Sequence, residues 1–390
     1  MMSALLTVFK KEITDSLRDR RTITMILVAS IMTGPLVLLL LSHYITGLSD
    51  KAEAKKVYVA DRQHGPSAVN FFLRQSADVI DAPGDYEQRV KDGKLDAVII
   101  FDEDFEGDLR AGKTATVELL YDDSRTEAGP SISFARNLLN GFGRETGILR
   151  LMARGVSPEV VSTVKVENVN VATPRQRAAQ LLFLIPMTTL ILCITGGMAV
   201  AIDCTAGERE RGSLEPLLLH PVNLSGLVIG KWLAVALYAS VVVLLAVLGY
   251  VVTLLYLPLK IDLPLNFGWR EFGLFSLVAV PLAAMMGSLL MLIATFGRSY
   301  KEAQTYASYL ITVASFVPVI AIFSSLKDGL WQLLIPVLGA NMVFMRVLRG
   351  EAVGAEYFLL PMLVSVAGIC ICLSVVSHLL RREEIVFGRS

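Results

Sequence analysis

Long charge-free stretches alternate with short charged connections along most of this chain. Six such stretches occupy about 22–45, 178–203, 227–256, 272–296, 305–326 and 357–380. Each is close to the ~20 residues that a helix needs to cross a hydrocarbon core, so the pattern predicts six transmembrane helices. The first contains Gly34-Pro35, where a kink is expected. Ahead of it, Leu5, Leu6, Phe9, Ile13 and Leu17 fall at helical spacing on one side, with Lys10, Lys11, Asp15, Arg18 and Arg20 on the other. Residues 1–21 therefore read as a cytoplasmic amphipathic helix, either lying in the membrane interface or serving as a plain cytosolic lead-in. Near the far end, "LWQLLIPVLGANMVFMRVL" is apolar but broken by Pro336 and Gly339 into halves too short to span. Residues 327–356 are expected to form an outer re-entrant pair of helices or a simple amphipathic loop.

The polar region 46–177 has a different rhythm. "KVYVA" (56–60) and "LDAVIIF" (95–101) read as buried strands, "ATVELLYDD" (115–123) as a half-covered strand, and "VKVENVNVA" (164–172) as a further one. Residues 67–76, 85–92 and 131–154 have helical patterns. Strands alternating with helices predict a compact α/β domain inserted between the first two spans. His64 sits beside Gly65-Pro66 and reads as a turn residue rather than a metal ligand.

Composition sharpens the class. The chain is 54% hydrophobic with 36 basic and 36 acidic residues, and its mean hydropathy is +0.57. Apolarity concentrated in blocks marks an integral membrane protein. The absence of a Lys/Arg run offers nothing to nucleic acid. Cys193, Cys204, Cys370 and Cys372 all lie in or beside apolar runs, so they read as packing residues. Their spacing matches neither a disulfide framework nor a zinc site, and no metal is expected. The apolar run Ile23–Leu41 is longer than a signal-peptide core and lacks a small-x-small cleavage site, which reads as an uncleaved anchor.

Short-loop cations set the orientation. Lys10, Lys11, Arg18, Arg20 and Arg21 precede the first span. Arg209, Arg211, Arg298, Lys301, Arg381, Arg382 and Arg389 fall in 204–226, 297–304 and 381–390. All of these segments are predicted on the cytoplasmic side with both termini, which leaves 46–177 extracytoplasmic.

Residues 204–226 carry the most distinctive segment. In "ERERGSLEPLLLHPV" (208–222), Glu208 and Glu210 open a short helix where the dipole favours acids, and Arg211 and Glu215 are four apart. Leu214, Leu217 and Leu218 form one apolar stripe, and Pro221 ends the helix. Such a surface helix either rests on lipid or fits a groove in a soluble partner. A P-loop is absent. "GLVIGKW" (226–232) has the wrong spacing and Trp232 in place of the hydroxyl, and Lys231 reads as an interfacial anchor.

"GERERGSLEPLLLHPV" resembles the intracellular coupling segment of ABC-2 type transporter permeases. "RDRRT" (18–22) is similar to the end of that family's connector helix. "YDDSR" (121–125) and "REEIVFGR" (382–389) resemble its NatB-like sodium-efflux branch, which places a large outer domain between the first two spans. The resemblance implies an ABC-2 exporter-like (type V) permease in a bacterial cytoplasmic membrane. It also implies a subunit that works as a homodimer with two cytosolic ATPases, which would bind ATP and Mg; no cofactor and no catalysis are expected in this chain. Glu208, Arg209, Glu210, Arg211, Gly212, Leu214, Glu215, Leu217 and Leu218 would meet the ATPase, with Lys10, Lys11, Asp19 and Arg20 of the connector helix.

The cargo is less legible. No carboxylate stands at membrane depth, where an ion path usually keeps one. The polar residues there are Thr188, Thr189, Thr195, Ser288, Thr312 and Ser315, which either line a substrate path or mediate helix packing. Sodium export, export of an amphipathic drug, lipid or peptide, and a mechanical transmitter whose outer domain recruits a partner all remain open.

Overall fold

The computed structural model describes residues 2–53, 55–160, 182–213, 224–256, 267–323 and 329–381. The chain divides into two compact units, Met1–Leu41 with Ala172–Ser390, and Ser42–Val171. It opens with α1 (Met2–Arg18) and α2 (Arg20–Glu53). Pro35 lies inside α2 without ending it.

The unit Ser42–Val171 is built on β1 (Lys56–Ala60), α3 (Pro66–Arg74), β2 (Asp78–Asp81), α4 (Tyr86–Lys91), β3 (Ala97–Phe101), α5 (Phe105–Arg110), β4 (Val117–Tyr121) and α6 (Gly129–Ala153). The sheet order is β2-β1-β3-β4. β1 is parallel to both β2 and β3, with Tyr58 opposite Ile80 and Val98, and β4 runs antiparallel to β3. The β1–α3–β2 and β2–α4–β3 connections run in opposite directions across the sheet. Right-handed crossovers therefore put α3 and α4 on opposite faces. Alternation does the rest: Val57, Val59, Ile99 and Phe101 pack with α3 and α6, while Ala60 and Val98 pack with Val90 of α4.

The strands expected at 56–60, 95–101 and 115–123 each contain an observed strand. β2, "DVID", goes unannounced because Asp78 and Asp81 at its ends mask two apolar residues. The strand expected at 164–172 lies outside the described residues. His64 falls in a short 3-10 turn, as its neighbours indicate.

The other unit continues with α7 (Leu184–Thr195), α8 (Met198–Ile202), a π-helical turn at Asp203–Gly207 and α9 (Glu208–Glu210). Beyond these lie α10 (Leu224–Tyr256), α11 (Trp269–Ala294), α12 (Tyr300–Phe323), α13 (Pro336–Arg349) and α14 (Ala355–Leu379). Among the described residues, five helical runs are long and apolar enough to cross a membrane: Ile23–Gly47, Leu184–Glu210, Leu224–Tyr256, Trp269–Ala294 and Ala355–Leu379. The fifth expected span falls on α12, a 24-residue helix that is not among them.

Helix packing here relies on small residues, as it must where lipid offers no hydrophobic drive. Ala201, Ala206, Ala239, Ala246, Ala279, Ala283, Ala294, Ala303 and Ala307 are fully buried. Gly34 of α2 faces Gly249 of α10 so closely that a Cβ on Gly34 would overlap the Gly249–Tyr250 peptide. The glycine before the proline thus serves as a crossing point between two helices.

Pro336 and Gly339 do not break a helix. Pro336 occupies the first turn of α13, where its missing N–H costs nothing, and Gly350 closes that helix with φ of 72°. At 14 residues α13 is about 21 Å long, short of the ~30 Å hydrocarbon thickness. It is nonetheless buried through Val337, Val343, Phe344 and Leu348, with Phe344 stacked 4.4 Å from Phe275 of α11.

Candidate coupling site

The acidic–basic block turns inward. α8, the π-turn and α9 continue one helical run, so Glu208 projects back towards α10 and α1. Its side chain is 5% exposed. One carboxylate oxygen accepts from Lys231 Nζ at 2.5 Å and the other from Lys11 Nζ. Lys231 also donates to Glu12 Oε1 at 3.2 Å and to the Cys204 carbonyl at 2.8 Å. All three ammonium protons are thereby used. Lys11 reaches Glu12 as well, at 3.1 Å. Two buried carboxylates and two ammonium groups, drawn from α1, α9 and α10, balance in charge, and Lys11 extends the set outward to Asp15 at 3.7 Å.

Electrostatics favour this set as a unit. Partial burial opposes the charge on Lys11, but its hydrogen bond to Glu208 and the charges of Glu12 and Glu208 outweigh it and hold the ammonium above the ordinary lysine range. Buried pairs of this kind add little net stability when intact. Removal of one partner is costly, because the other charge is stranded in low dielectric.

The neighbouring residues bind α11 and α12. The Arg209 guanidinium donates to the carbonyl oxygens of Gly297 and Thr295 at 2.8 and 2.9 Å, satisfying groups that the end of α11 leaves open. Glu210 accepts the backbone N–H of Tyr300, at 2.6 Å, where the α12 dipole favours an anion. Arg211 is exposed and pairs with Asp203 at 2.9 Å; that hydrogen bond raises its already high pKa. Gly212 comes next with φ of +66°, a left-handed residue that ends α9. Leu214, Glu215, Leu217 and Leu218 lie outside the described residues. A cavity of about 970 Å³ opens beside the block, lined by Asp15, Asp19, Asp203, Glu210, Arg211 and Tyr238 among others.

The connector residues separate. Lys10, Asp19 and Arg20 are exposed, and Lys11 sits at the rim of the ion set. The buried face of α1 is rotated from its apolar stripe: Leu5, Phe9 and Ile13 are half-buried, Leu6 and Leu17 are 57% and 58% exposed, and Glu12 is 5% exposed. Lys231 differs too. It is 3% exposed, so it is the centre of an ion set rather than an interfacial anchor. Both departures have one cause, which is that an ionisable group within an apolar run demands a partner, and Glu12 and Glu208 supply it. That signal was present in the sequence, since Lys231 is the sole charged residue of 224–256.

The hydroxyls at membrane depth are committed locally. Thr188, Thr189, Thr195 and Thr312 donate to the carbonyls of Leu184, Ile185, Ile191 and Ser308, and Ser288 donates to Met285. Thr188 also meets the Tyr250 hydroxyl. Ser315 is half-buried on α12. These residues belong to α7, α11 and α12. Among the described residues, no group of three or more His, Cys, Asp or Glu side chains is placed to hold a metal.

Five helical runs of membrane length among the described residues, with an ion set that joins α1, α9 and α10, define a multi-pass membrane protein. The chain belongs to the ABC-2 family of transporter proteins, whose pattern it matches over residues 23–378. It is similar to the ABC transporter permease protein NatB of Bacillus subtilis (strain 168), with 27% identity over 351 residues, 88% of this chain and 89% of the relative. It is accordingly a multi-pass membrane subunit of an ABC transporter, a transport component whose family works with a partner ATPase.

Proposed function

We propose that this chain is the exporting permease of an ATP-driven complex, a homodimer that engages two cytosolic ATPase subunits through the 208–219 segment and the connector helix. In this reading it spans a bacterial cytoplasmic membrane six times, α12 being the fifth span. Both termini are cytoplasmic, α13 is an outer re-entrant helix, and the unit Ser42–Val171 is extracytoplasmic.

The observation that carries the proposal is that the Glu208 carboxylate accepts from Lys11 and Lys231 at once, one on each oxygen. The two segments expected to meet the ATPase are joined to each other and to a spanning helix. Displacement of either is therefore delivered to α10. Docking itself falls to the outward-facing Lys10, Arg20 and Arg211 and to the leucine stripe Leu214, Leu217 and Leu218. Reversing an inward–outward equilibrium from 1:99 to 99:1 takes about 5.5 kcal/mol of differential binding, which closure of two ATPases on ATP can supply.

Sodium is the first cargo to test, given the resemblance to sodium-efflux permeases. An amphipathic drug, lipid or peptide is the alternative, favoured by hydroxyls that donate to their own helices rather than into a shared path. The test is reconstitution of the permease and its ATPase in liposomes, with ATP hydrolysis and sodium movement followed together. The expected result is ATP-dependent sodium efflux, abolished by Leu217→Asp with Leu218→Asp while the permease still inserts. Movement of an amphipathic dye instead of sodium reassigns the cargo. Hydrolysis with no flux of either favours the mechanical transmitter, and failure of any ATPase to bind overturns the proposal.

A further inference from the structure

We infer that Lys231 is a positioning residue of the coupling machinery: it seats α1 and Glu208 on α10 so that the first helix, the coupling segment and the span move as one body. The inference rests on the proposed coupling role of the 208–219 segment and assigns the cation on which that role depends.

Two features at adjacent positions build the seat. Gly230 has no Cβ, and one placed there would come within 3.0 Å of the Leu5 carbonyl oxygen and of Val8. The backbone of α1 therefore approaches α10 closely at this level, and a side chain at position 230 would have to push it back by a few tenths of an ångström. One residue on, Lys231 supplies the charge. Its Nζ donates to Glu12 of α1, to Glu208 of α9 and to the Cys204 carbonyl in the π-turn, three acceptors from three separate segments. Glu12 and Glu208 would otherwise be like charges brought together in a buried place, with Lys11 alone between them. Lys231 converts that repulsion into cohesion.

The π-turn at Asp203–Gly207 has a part in this. A π-turn holds more residues than an α-turn, so it resets the rotation of the residues downstream of it. Return to α geometry would turn Glu208 by about 100° and carry it away from Lys231. The register of the coupling segment and the occupancy of the Lys231 site are thus linked.

The charge balance dictates the variants. Lys231→Met alone leaves a net negative charge buried and is expected to lower abundance. Lys231→Met with Glu12→Gln is neutral and retains the Lys11–Glu208 pair, so it separates positioning from folding. Two readouts apply to the full-length permease: amide hydrogen exchange over residues 5–18 in detergent, and stimulation of the co-purified P-loop ATPase at matched stoichiometry in liposomes. In the double variant, abundance should match wild type, and stimulation is compared at equal amounts of bound ATPase. Exchange over residues 5–18 should be at least about tenfold faster and stimulation at least about tenfold lower, the change expected when about 1.4 kcal/mol of seating is lost. Lys231→Arg, which keeps the charge, should recover a substantial part of both. A double variant with wild-type exchange and wild-type stimulation overturns the inference. If wild type itself does not stimulate the ATPase, the coupling role fails, and the exchange measurement still decides whether Lys231 seats α1.

Discussion

The Arg209 guanidinium lies 2.8 Å from the carbonyl oxygen of Gly297, eighty-eight residues away in sequence. With its second bond to the Thr295 carbonyl it closes the end of α11 from a different helix. A side chain that looks like a docking charge in the sequence is thus a cap supplied in trans. Hydrogen bonds from a charged group are worth about 1.5–3 kcal/mol. Arg209→Ala is expected to lower the melting temperature of the detergent-purified permease, and Arg209→Lys to recover only part of the loss, since lysine lacks the planar fork. Equal melting of Arg209→Ala and wild type would show the cap to be idle.

Gly34 and Gly249 meet backbone to backbone where α2 crosses α10. No rotamer adjustment can relieve a Cβ placed against a peptide group, so the helices must separate. Overpacking of this type costs about 1–3 kcal/mol. Gly34→Ala should reduce thermal stability by that order, and Gly34→Leu should abolish the folded fraction in size-exclusion chromatography. A control at Gly47, where a Cβ meets nothing within 4 Å, should be neutral.

The Lys11 ammonium is held above its ordinary pKa by Glu208 and Glu12 despite partial burial. A raised pKa contributes stability that is complete below the unfolded value, ~10.4 for lysine, and is lost as pH rises through the folded value. The melting difference between wild type and Lys11→Met should therefore be constant from about pH 6 to about pH 9 and shrink only in stronger alkali. A difference that shrinks already in neutral or mildly alkaline buffer would contradict the pairing of Lys11 with Glu208 and Glu12.

Much of this arrangement could be read from the chain, and the exceptions have identifiable causes. The apolar runs announced the long helices because their signal is local, ~20 residues without a charge. The strands at 56–60, 95–101 and 115–123 were equally plain, whereas "DVID" was not, because acids at both ends hide the run. The inward face of α1 was only partly legible: of the stripe Leu5, Leu6, Phe9, Ile13 and Leu17, the first, third and fourth are half-buried, Leu6 and Leu17 are exposed, and Glu12 is buried. An acid in a Lys-Lys-Glu string offers no local reason to be buried; its partner is 219 residues away. Likewise Pro336 and Gly339 looked like interruptions, whereas one begins α13 and the other lets it approach Leu333. Local chemistry fixes where helices start and stop, but not which charges will find one another.

Phe344 of α13 is fully buried and stacked 11° from parallel on Phe275, which in turn meets Phe267 edge-on at 5.2 Å. Truncation of a buried phenylalanine leaves a void and typically costs about 3–5 kcal/mol. Phe344→Ala should therefore release α13 from α11, seen as faster amide exchange over residues 336–349, while Phe344→Leu should retain most of the protection. Unchanged exchange in Phe344→Ala would mean that α13 is held by its other contacts.

The alanine-lined seams between α8, α10, α11 and α12 carry a mechanical implication. Alanine has no rotamers to freeze or to rearrange, and its single methyl raises only a low ridge on the helix surface. Because Ile202, Val235, Leu290 and Met291 share these seams, the alanines bring the rods close together while the larger side chains key one rod to the next.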